Sequence, residues 1–255
     1  MDALHSSTSK STRNLNLPDF CLYSCMPDKT KFWYLKNFNI FEGMDEAAMN
    51  DVNKMSSMTT AKVHQPLYFP DEPTRDIFFL KEGHVKISRL SEDGNEVILD
   101  VIGPGELFGE LSFSDREESS GEIAQALDDI VVCTMKRSDF ESLLKMKPEL
   151  NFELTKRIGL RLRKFEERVT DMVFKDVRKR IAGFLVRYAE EFGKIKSGVV
   201  SIKMHLSHQE IALLVGAARQ TVTTTLNDFR SKGIIDFSRS GFVIKNMPEL
   251  QKLSQ

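Results

Sequence analysis

The feature that most constrains the fold is one long helical pattern near the middle of the chain. Between residues 148 and 174, apolar residues recur in steps of three and four, and charged residues fill most other positions. So narrow an apolar seam, sustained over about three heptads, is typical of a coiled coil between two copies of a chain. Packing of the helix against strands of its own chain is the alternative. The seam residues are Leu154, Ile158, Leu162, Phe165, Val169 and Met172.

This helix separates an acidic part of the chain from a basic part. Residues 1–154 carry 16 Lys and Arg against 27 Asp and Glu, whereas residues 155–255 carry 20 against 10. The asymmetry, hidden in a net charge of −1, indicates that only the C-terminal part contacts a polyanion. The longest apolar runs are too short to span a membrane, and the N-terminus lacks an apolar signal core. We therefore expect a cytoplasmic protein with no membrane partner.

The segment before the long helix has the spacing of an antiparallel β-barrel or sandwich. Short apolar stretches alternate with turn sequences, and Asp93-Gly94 suits a tight hairpin turn. Residues 31–58 look like one or two short helices, and residues 1–30, rich in Ser and Thr, are expected to form a flexible arm. The predicted strands are residues 75–80, 85–90, 97–102, 123–126 and 130–135.

Residues 206–231 carry a helix-turn-helix pattern. Ser207, followed three residues later by Glu210, forms a capping box that starts the first helix. Gly216 ends that helix, and two alanines keep the turn free of bulk. The second helix is expected to begin at Arg219, with a buried face formed by Val222, Leu226 and Phe229.

The outer face of this second helix carries Arg, Gln and Thr, whereas an ordinary solvent-exposed face favours Glu and Lys. Arg can pair bidentately with guanine and Gln with adenine, and a Thr methyl group can contact the methyl group of thymine. The first turn of a recognition helix is the part that enters the major groove. We therefore predict a DNA-reading helix rather than a small structural helical hairpin. Its contact residues are Arg219, Gln220, Thr221, Thr223 and Thr224.

The segments on either side complete a DNA-binding unit. Residues 177–192 have a helical pattern, and residues 193–203 look like a loop with one short strand. Apolar residues at 234–237 and 242–244 flank a polar tip and predict a β-hairpin, or wing, whose Arg239 can reach a phosphate.

The chain resembles the CRP/FNR family of bacterial transcription regulators over roughly residues 32–247. The resemblance rests jointly on EGHVKI at 82–87, DGNEVI at 93–98, GPGELFGEL at 103–111, DVRKRI at 176–181, LSHQEIA at 206–212 and RQTV at 219–222.

The resemblance implies an α+β fold with a sensor domain and a DNA-binding domain. A β-roll of the cyclic-nucleotide-binding type (a double-stranded β-helix) would occupy residues 31–147, after the flexible arm at 1–30. A dimerisation helix would occupy residues 148–174, and a winged helix-turn-helix would occupy residues 175–255. The implied function is transcription regulation, as an activator rather than an enzyme. The implied partners are a second copy of the chain, palindromic double-stranded DNA and RNA polymerase.

The resemblance also implies roles for individual residues. Arg219, Gln220 and Thr224 fall where family members read bases, and Ser207 and Gln209 fall where they hold phosphate. The family commonly has an arginine where this chain has Thr224, so the half-site preference stays open. The hinge between the long helix and the DNA-binding domain falls at residue 176.

The residues of the sensor domain leave its effector unknown. Nucleotide-binding members use a Gly-Glu pair, matched here by Gly109-Glu110, and an Arg about ten positions later that pairs with the cyclic phosphate. Counting without a gap places Ser120 at that arginine position, and Arg116 comes four residues early, among glutamates. We therefore disfavour conventional cyclic AMP (cAMP) binding and interpret the Gly-Glu pair as a structural turn.

Three other signals stay open at this point. Cys21 and Cys25 lie where iron–sulfur members place ligands, but a four-cysteine cluster needs one more cysteine than the chain's three. The same pair can form a reversible disulfide or remain two idle thiols. Haem needs an axial ligand, for which His64 and His84 qualify by type only, and we expect His84 to face solvent in a hairpin turn. We predict no metal site.

A nucleotide-binding regulatory module that does not bind DNA is the alternative class of function. The basic C-terminal part and the polar outer face of the second helix argue against it.

Overall fold

The structure is a computed structural model that describes residues 30–69, 76–111, 121–196, 198–204, 206–238 and 241–255. The predicted arm up to residue 29 lies outside this described part of the chain. The predictions for five individual residues also lie outside it: those for Cys21, Cys25, Arg116, Ser120 and Arg239.

Short helices precede the strands, as the sequence predicts. They are α1 (Lys31–Lys36), a 3-10 turn (Asn39–Phe41) and α2 (Glu46–Met55). The Asp45 side chain accepts a hydrogen bond from the Ala48 N–H at 2.8 Å and so caps the start of α2. The apolar faces of these helices cover one sheet of the following domain through Leu35, Phe38, Ile40, Phe41, Met49 and Val52.

The N-terminal domain is a β-roll of two antiparallel sheets, with strand orders β1-β8-β3-β6 and β2-β7-β4-β5. The five predicted strands are confirmed with shifts of one or two residues at their ends, and β1, β2 and β6 were not predicted. Two of those three have only three residues, too few to show an alternating pattern. The strands are β1 (Ser56–Ala61), β2 (Pro66–Tyr68), β3 (Asp76–Glu82), β4 (Val85–Leu90), β5 (Glu96–Ile102), β6 (Leu107–Gly109), β7 (Glu122–Ala126) and β8 (Ile130–Lys136).

The long helix begins in the β-roll and leaves it. After α3 (Arg137–Met146), α4 (Glu149–Phe174) buries Leu150 and Leu154 in the same core as Phe79. Leu154 is only 5% exposed, so its assignment to the dimer seam is wrong, because its own domain already covers it. The remaining seam residues are half exposed: Ile158 44%, Leu162 56%, Phe165 54%, Val169 45% and Met172 42%.

The C-terminal domain is built of helices around one small sheet of order β11-β12-β10-β9. Its core joins the inner faces of α5, α6 and α7, including Ile181, Leu185, Ile211, Val222 and Phe229. The elements are α5 (Val177–Phe192), β9 (Gly193–Lys196), β10 (Val199–Ile202), α6 (His208–Val215), α7 (Arg219–Ser231), β11 (Ile235–Ser238), β12 (Gly241–Ile244) and α8 (Met247–Leu253).

Two parts of this domain differ from the sequence-based expectation. Strands β9 and β10 pair antiparallel where a loop with one strand was expected, because Gly198 turns with a φ of +80° and β10 also pairs with β12. Helix α8 was not predicted, and it packs on α5 through the fully buried Leu250. None of the described helices combines the length and apolar character that a membrane span requires.

The prediction that His84 faces solvent is wrong. The residue is 9% exposed, and its Nδ1 lies 2.7 Å from Asp128 Oδ2. The ring of Phe192, the last residue of α5, lies edge-on to the imidazole with 5.2 Å between ring centroids. The hairpin turn therefore faces the C-terminal domain, and Phe192 also lies so close to Gly103 that an added Cβ there would overlap its ring.

Gly241 is a position where the backbone requires glycine. Its φ is +132°, and an added Cβ would overlap the carbonyl oxygen of Ile202 on the neighbouring strand. We expect Gly241→Ala to lower the free energy of unfolding by more than about 1 kcal/mol, because the new side chain is strained and forces β10 away from β12. Thermal or denaturant unfolding of the purified variant measures this.

Gly159→Ala is the matched control. Gly159 lies in α4, and outside its own stretch of helix no described atom lies within 4 Å of an added Cβ. Because alanine favours a helix over glycine, this change should leave stability unchanged or raise it. Equal melting temperatures for the Gly241 variant and the unmodified protein would contradict the strain at that position.

Candidate nucleic-acid interface

The N-terminus of α6 is fixed by a complete capping box. The Ser207 hydroxyl accepts from the Glu210 N–H at 3.2 Å, and the Glu210 carboxylate accepts from the Ser207 N–H at 2.8 Å. The first N–H groups of a helix have no partner within the helix, so this reciprocal pair satisfies a donor at each end of the turn. Gln209, predicted to hold phosphate, lies exposed in this turn, whereas the Ser207 hydroxyl is already bonded to Glu210.

The turn between α6 and α7 is held by an arginine of α5 for which the sequence predicted no role. Gly216 adopts the left-handed conformation predicted for it, with φ 61° and ψ 54°. The Arg180 guanidinium on α5 donates to the carbonyl oxygens of Val215 at 2.8 Å, Gly216 at 2.9 Å and Lys175 at 2.7 Å. One side chain thus ties the helix-turn-helix to the segment that joins α4 and α5.

Helix α7 is anchored on one side and open on the other. Val222, Leu226 and Phe229 are all 0% exposed, as predicted. The opposite side brings together the exposed side chains of Arg219, Gln220, Thr221 and Thr224, while Thr223 is half-buried.

Two threonine hydroxyls of α7 are turned toward the helix backbone. Thr223 Oγ1 donates to the Arg219 carbonyl oxygen at 3.0 Å, and Thr224 Oγ1 donates to the Gln220 carbonyl oxygen at 3.0 Å. Such bonds to the carbonyl four residues earlier are common for threonine within a helix. They leave the methyl group as the unbonded part of each threonine side chain.

Two basic side chains form ion pairs with Asp228, the acidic residue of α7. Asp228 lies 2.5 Å from the Arg178 guanidinium and 3.0 Å from the Lys232 ammonium. Both cations hold the pKa of Asp228 below its usual value. Arg178 also lies over the Phe229 ring at 4.8 Å, so the same ion pair fastens α5 to α7.

The wing packs against the helix-turn-helix. Phe237 of β11 pairs with Phe242 of β12, and the Arg230 guanidinium lies 5.0 Å from the Phe237 ring centroid. Asp236 accepts from Lys245 at 2.9 Å and from Arg230 at 3.0 Å. The wing is therefore fixed to the end of α7, and its tip at residues 239–240 lies outside the described residues.

Of the predicted effector residues, the structure describes Gly109 and Glu110, at the end of β6. Gly109 has a φ of +102°, and an added Cβ would overlap the Asp76 carbonyl oxygen, so the turn itself requires glycine there. Glu110 is half-buried. Burial raises the pKa of Glu122, and the negative charge of Glu110 adds to that rise, whereas the positive charges of Arg161 and Arg89 oppose it. A cavity of about 230 Å³ separates the β-roll from α4, lined among others by Asp100, Glu106, Leu107, Leu111, Arg157 and Arg161.

Contacts between the two domains converge on α4 and β5. Arg168 of α4 donates to the carbonyl oxygens of Leu99 and Ile98 in β5, the latter at 2.9 Å, and to that of Leu214 in α6 at 3.4 Å. Lys86 lies 3.0 Å from Glu96 and 3.8 Å from Glu210 of the capping box. We call the contacts of Arg168 and Lys86 the interdomain clamp. No motif in the sequence marked either residue for this role.

Two domain families match the chain, one over the β-roll and the other over the C-terminal domain. The cyclic nucleotide-binding domain family matches residues 59–147, and the Crp-like helix-turn-helix domain family matches residues 179–253.

The chain is also similar to regulators along most of their length. The CRP-like cAMP-activated global transcriptional regulator of Mycobacterium tuberculosis is 29% identical over 218 residues, 86% of this chain and 97% of that protein. The global nitrogen regulator of Nostoc sp. is 28% identical over 207 residues, 81% of this chain and 91% of that protein. The structure of a CooA variant from Carboxydothermus hydrogenoformans is 25% identical with a TM-score of 0.68, and the match covers 87% of this chain and 95% of that one.

The open face of α7 has the side chains and the anchoring of a recognition helix. With both domain families matched and full-length regulators as relatives, the chain belongs to the CRP/FNR family of transcription regulators and binds DNA through its helix-turn-helix.

Proposed function

We propose that this regulator binds a palindromic DNA site as a homodimer and reads each half-site with the first turns of α7. The observation that carries the proposal is the shared exposure of Arg219, Gln220, Thr221 and Thr224 on a helix whose other side is fully buried. An anchored helix holds its reading side chains in place before DNA arrives. In this proposal Arg219 pairs with a guanine and Gln220 with an adenine, and the Thr224 methyl contacts a thymine.

Phosphate contacts fix the register of the helix on DNA. We place them at the N-terminus of α6, where a helix end favours an anion and where Gln209 is exposed. Ser207 holds this turn through Glu210, and Arg239 of the wing would add a further contact.

The homodimer is supported by the exposed part of the α4 seam. Ile158, Leu162, Phe165 and Val169 lie on one side of the helix and are each about half exposed. A continuous apolar stripe on a helix that already has charged residues on its other faces is what a second copy of α4 would cover. A two-fold axis along α4 would set two α7 helices roughly 34 Å apart, one turn of DNA.

The proposal includes transcription activation through contact with RNA polymerase, which family membership supports, and it assigns the chain no catalytic role. The effector is proposed to be other than cAMP. The charges of Glu110 and Glu122 interact, and the two arginines that act on Glu122 lie beside acidic partners: Arg89 is 3.8 Å from Glu122, and Arg161 is 2.9 Å from Asp100. A cyclic phosphate needs an arginine that can pair with it instead.

The interdomain clamp is proposed to carry the signal. Arg168 bonds the sensor strand β5 and the DNA-binding helix α6 at once, from the helix that also forms the seam. Any ligand that moves β5 or rotates α4 must therefore break or shift these bonds, which changes how the DNA-binding domain is held around the junction at Asp176.

The first prediction concerns base reading. Arg219→Ala should weaken binding to the preferred site by about 1–3 kcal/mol and relax the preference at one base pair, because a bidentate guanine contact is lost. Affinities measured by fluorescence anisotropy on the preferred duplex and its single-base variants test this. Lys252→Ala, which removes an exposed cation from α8, is the control and should keep the preference. An equal loss on every sequence would assign Arg219 to a phosphate instead.

The second prediction concerns the seam. The double variant Leu162→Asp, Phe165→Asp should be monomeric in light scattering and should lose most of its affinity for a palindromic duplex, because four buried charges would face each other across the dimer. Leu160→Asp is the matched control, since Leu160 is 53% exposed on another side of the same helix. A dimeric double variant with normal DNA binding would rule out this seam.

The third prediction concerns the clamp. Arg168→Gln should speed amide hydrogen exchange in β5 and α6, because the neutral amide cannot span three carbonyl oxygens on two elements. Arg163→Gln, an exposed position on the same helix, should leave exchange unchanged. Unaltered exchange in the Arg168 variant would show that other contacts hold the two domains together.

A further inference from the structure

We infer that His208, the first residue of α6, is a positioning residue that sets how α7 presents Thr223 to DNA. This inference rests on the proposed reading face. His208 Nδ1 lies 2.9 Å from Thr223 Oγ1, across the angle between the two helices. Thr223 in turn donates its hydroxyl proton to the Arg219 carbonyl oxygen at 3.0 Å.

The direction of the hydrogen bond follows from counting protons. A threonine hydroxyl has a single proton, and here it is donated in the hydrogen bond to the Arg219 carbonyl oxygen. In the contact with His208, the Thr223 oxygen is therefore the acceptor and Nδ1 of His208 is the donor. Burial, and then the positive charge of Arg219, lower the pKa of His208 below its usual value. The imidazole is therefore neutral at pH 7, with its proton on Nδ1 and a lone pair on Nε2.

A second contact fixes the ring itself. The imidazole lies edge-on to Phe237 of the wing, with 5.5 Å between ring centroids. Phe237 is held in turn by the Arg230 guanidinium and by Phe242. His208 is thus placed between the wing and α7, so its orientation is set before it bonds to Thr223.

The hydrogen bond determines which part of Thr223 is presented beside Arg219. With the hydroxyl bonded to both His208 and the backbone, the Thr223 methyl group is the only part left to approach a base. Without the histidine donor, the side chain is free to take another rotamer in which its hydroxyl turns outward and offers both a donor and an acceptor. His208 would thereby tune base selection without touching a base.

Three variants separate the two contacts of His208. His208→Phe keeps a ring against Phe237 but removes the donor. His208→Asn keeps a donor near the position of Nδ1 but removes the ring. Thr223→Val keeps the shape of the side chain but removes the hydroxyl. Each full-length variant is tested against the duplex preferred by the unmodified protein, selected from a randomised pool, and against all single-base changes of it.

We expect His208→Phe and Thr223→Val each to reduce discrimination at the same base position by about 5-fold, the effect of one hydrogen bond. The double variant should be no less selective than either single variant, because both remove the same interaction. His208→Asn should keep the discrimination of the unmodified protein.

Several outcomes would overturn the inference. They are unchanged discrimination in His208→Phe, additive effects in the double variant, or a loss in His208→Asn with none in His208→Phe. A uniform loss of affinity on all duplexes would also do so, because it would indicate a phosphate contact or a purely structural role. If His208→Phe does not fold, Thr223→Val and His208→Asn still decide. Arg219→Ala, measured on the same duplexes, tests the reading face independently. If Arg219→Ala keeps its discrimination at every base position, the proposed reading face is wrong. If Arg219→Ala loses discrimination but the His208 and Thr223 variants do not, the reading face stands and the role of His208 is wrong.

Discussion

The structure depends on how the faces of α4 are divided. Its first two turns are part of the β-roll core through Leu150 and Leu154. Farther along, Arg168 and Asp171 turn toward the DNA-binding domain, where Asp171 accepts from Arg187 of α5 at 2.7 Å. The exposed seam occupies the face that remains. Because one rigid helix meets a core, a second domain and an open surface, a rotation that improves one of these contacts disturbs the others.

The C-terminal domain is largely legible in the sequence because its determinants are local. The capping box at Ser207 and Glu210, the left-handed Gly216 and the buried Val222, Leu226 and Phe229 depend on spacings of three or four residues, and all are present. In the β-roll, the sequence predicts the longer strands except β1. The three-residue strands β2 and β6 form only because neighbouring strands provide partners, and no local pattern can reveal that.

What the sequence does not show is contact between distant segments. Leu154 has the same spacing as the other seam residues, yet the core of its own domain covers it. His84 has the setting of an exposed turn, yet Phe192 packs against it from more than a hundred residues away. Arg168 and Arg180 look like ordinary cations on helix surfaces, and only the tertiary fold brings carbonyl oxygens within their reach.

Arg168 and Arg180 donate hydrogen bonds to main-chain carbonyl groups. The partners of Arg168 lie in β5 and α6, and those of Arg180 lie at the end of α6, in the turn after it and at Lys175. Every amino acid supplies a carbonyl group. The partner side of each contact is therefore independent of residue identity. Substitutions at Ile98, Leu99, Leu214 or Val215 that preserve the backbone would leave these hydrogen bonds intact, and covariation between positions would not record them. Along the proposed route between the domains, the partners of Arg168 are therefore free to change in sequence, whereas Lys86 depends on the carboxylates of Glu96 and Glu210.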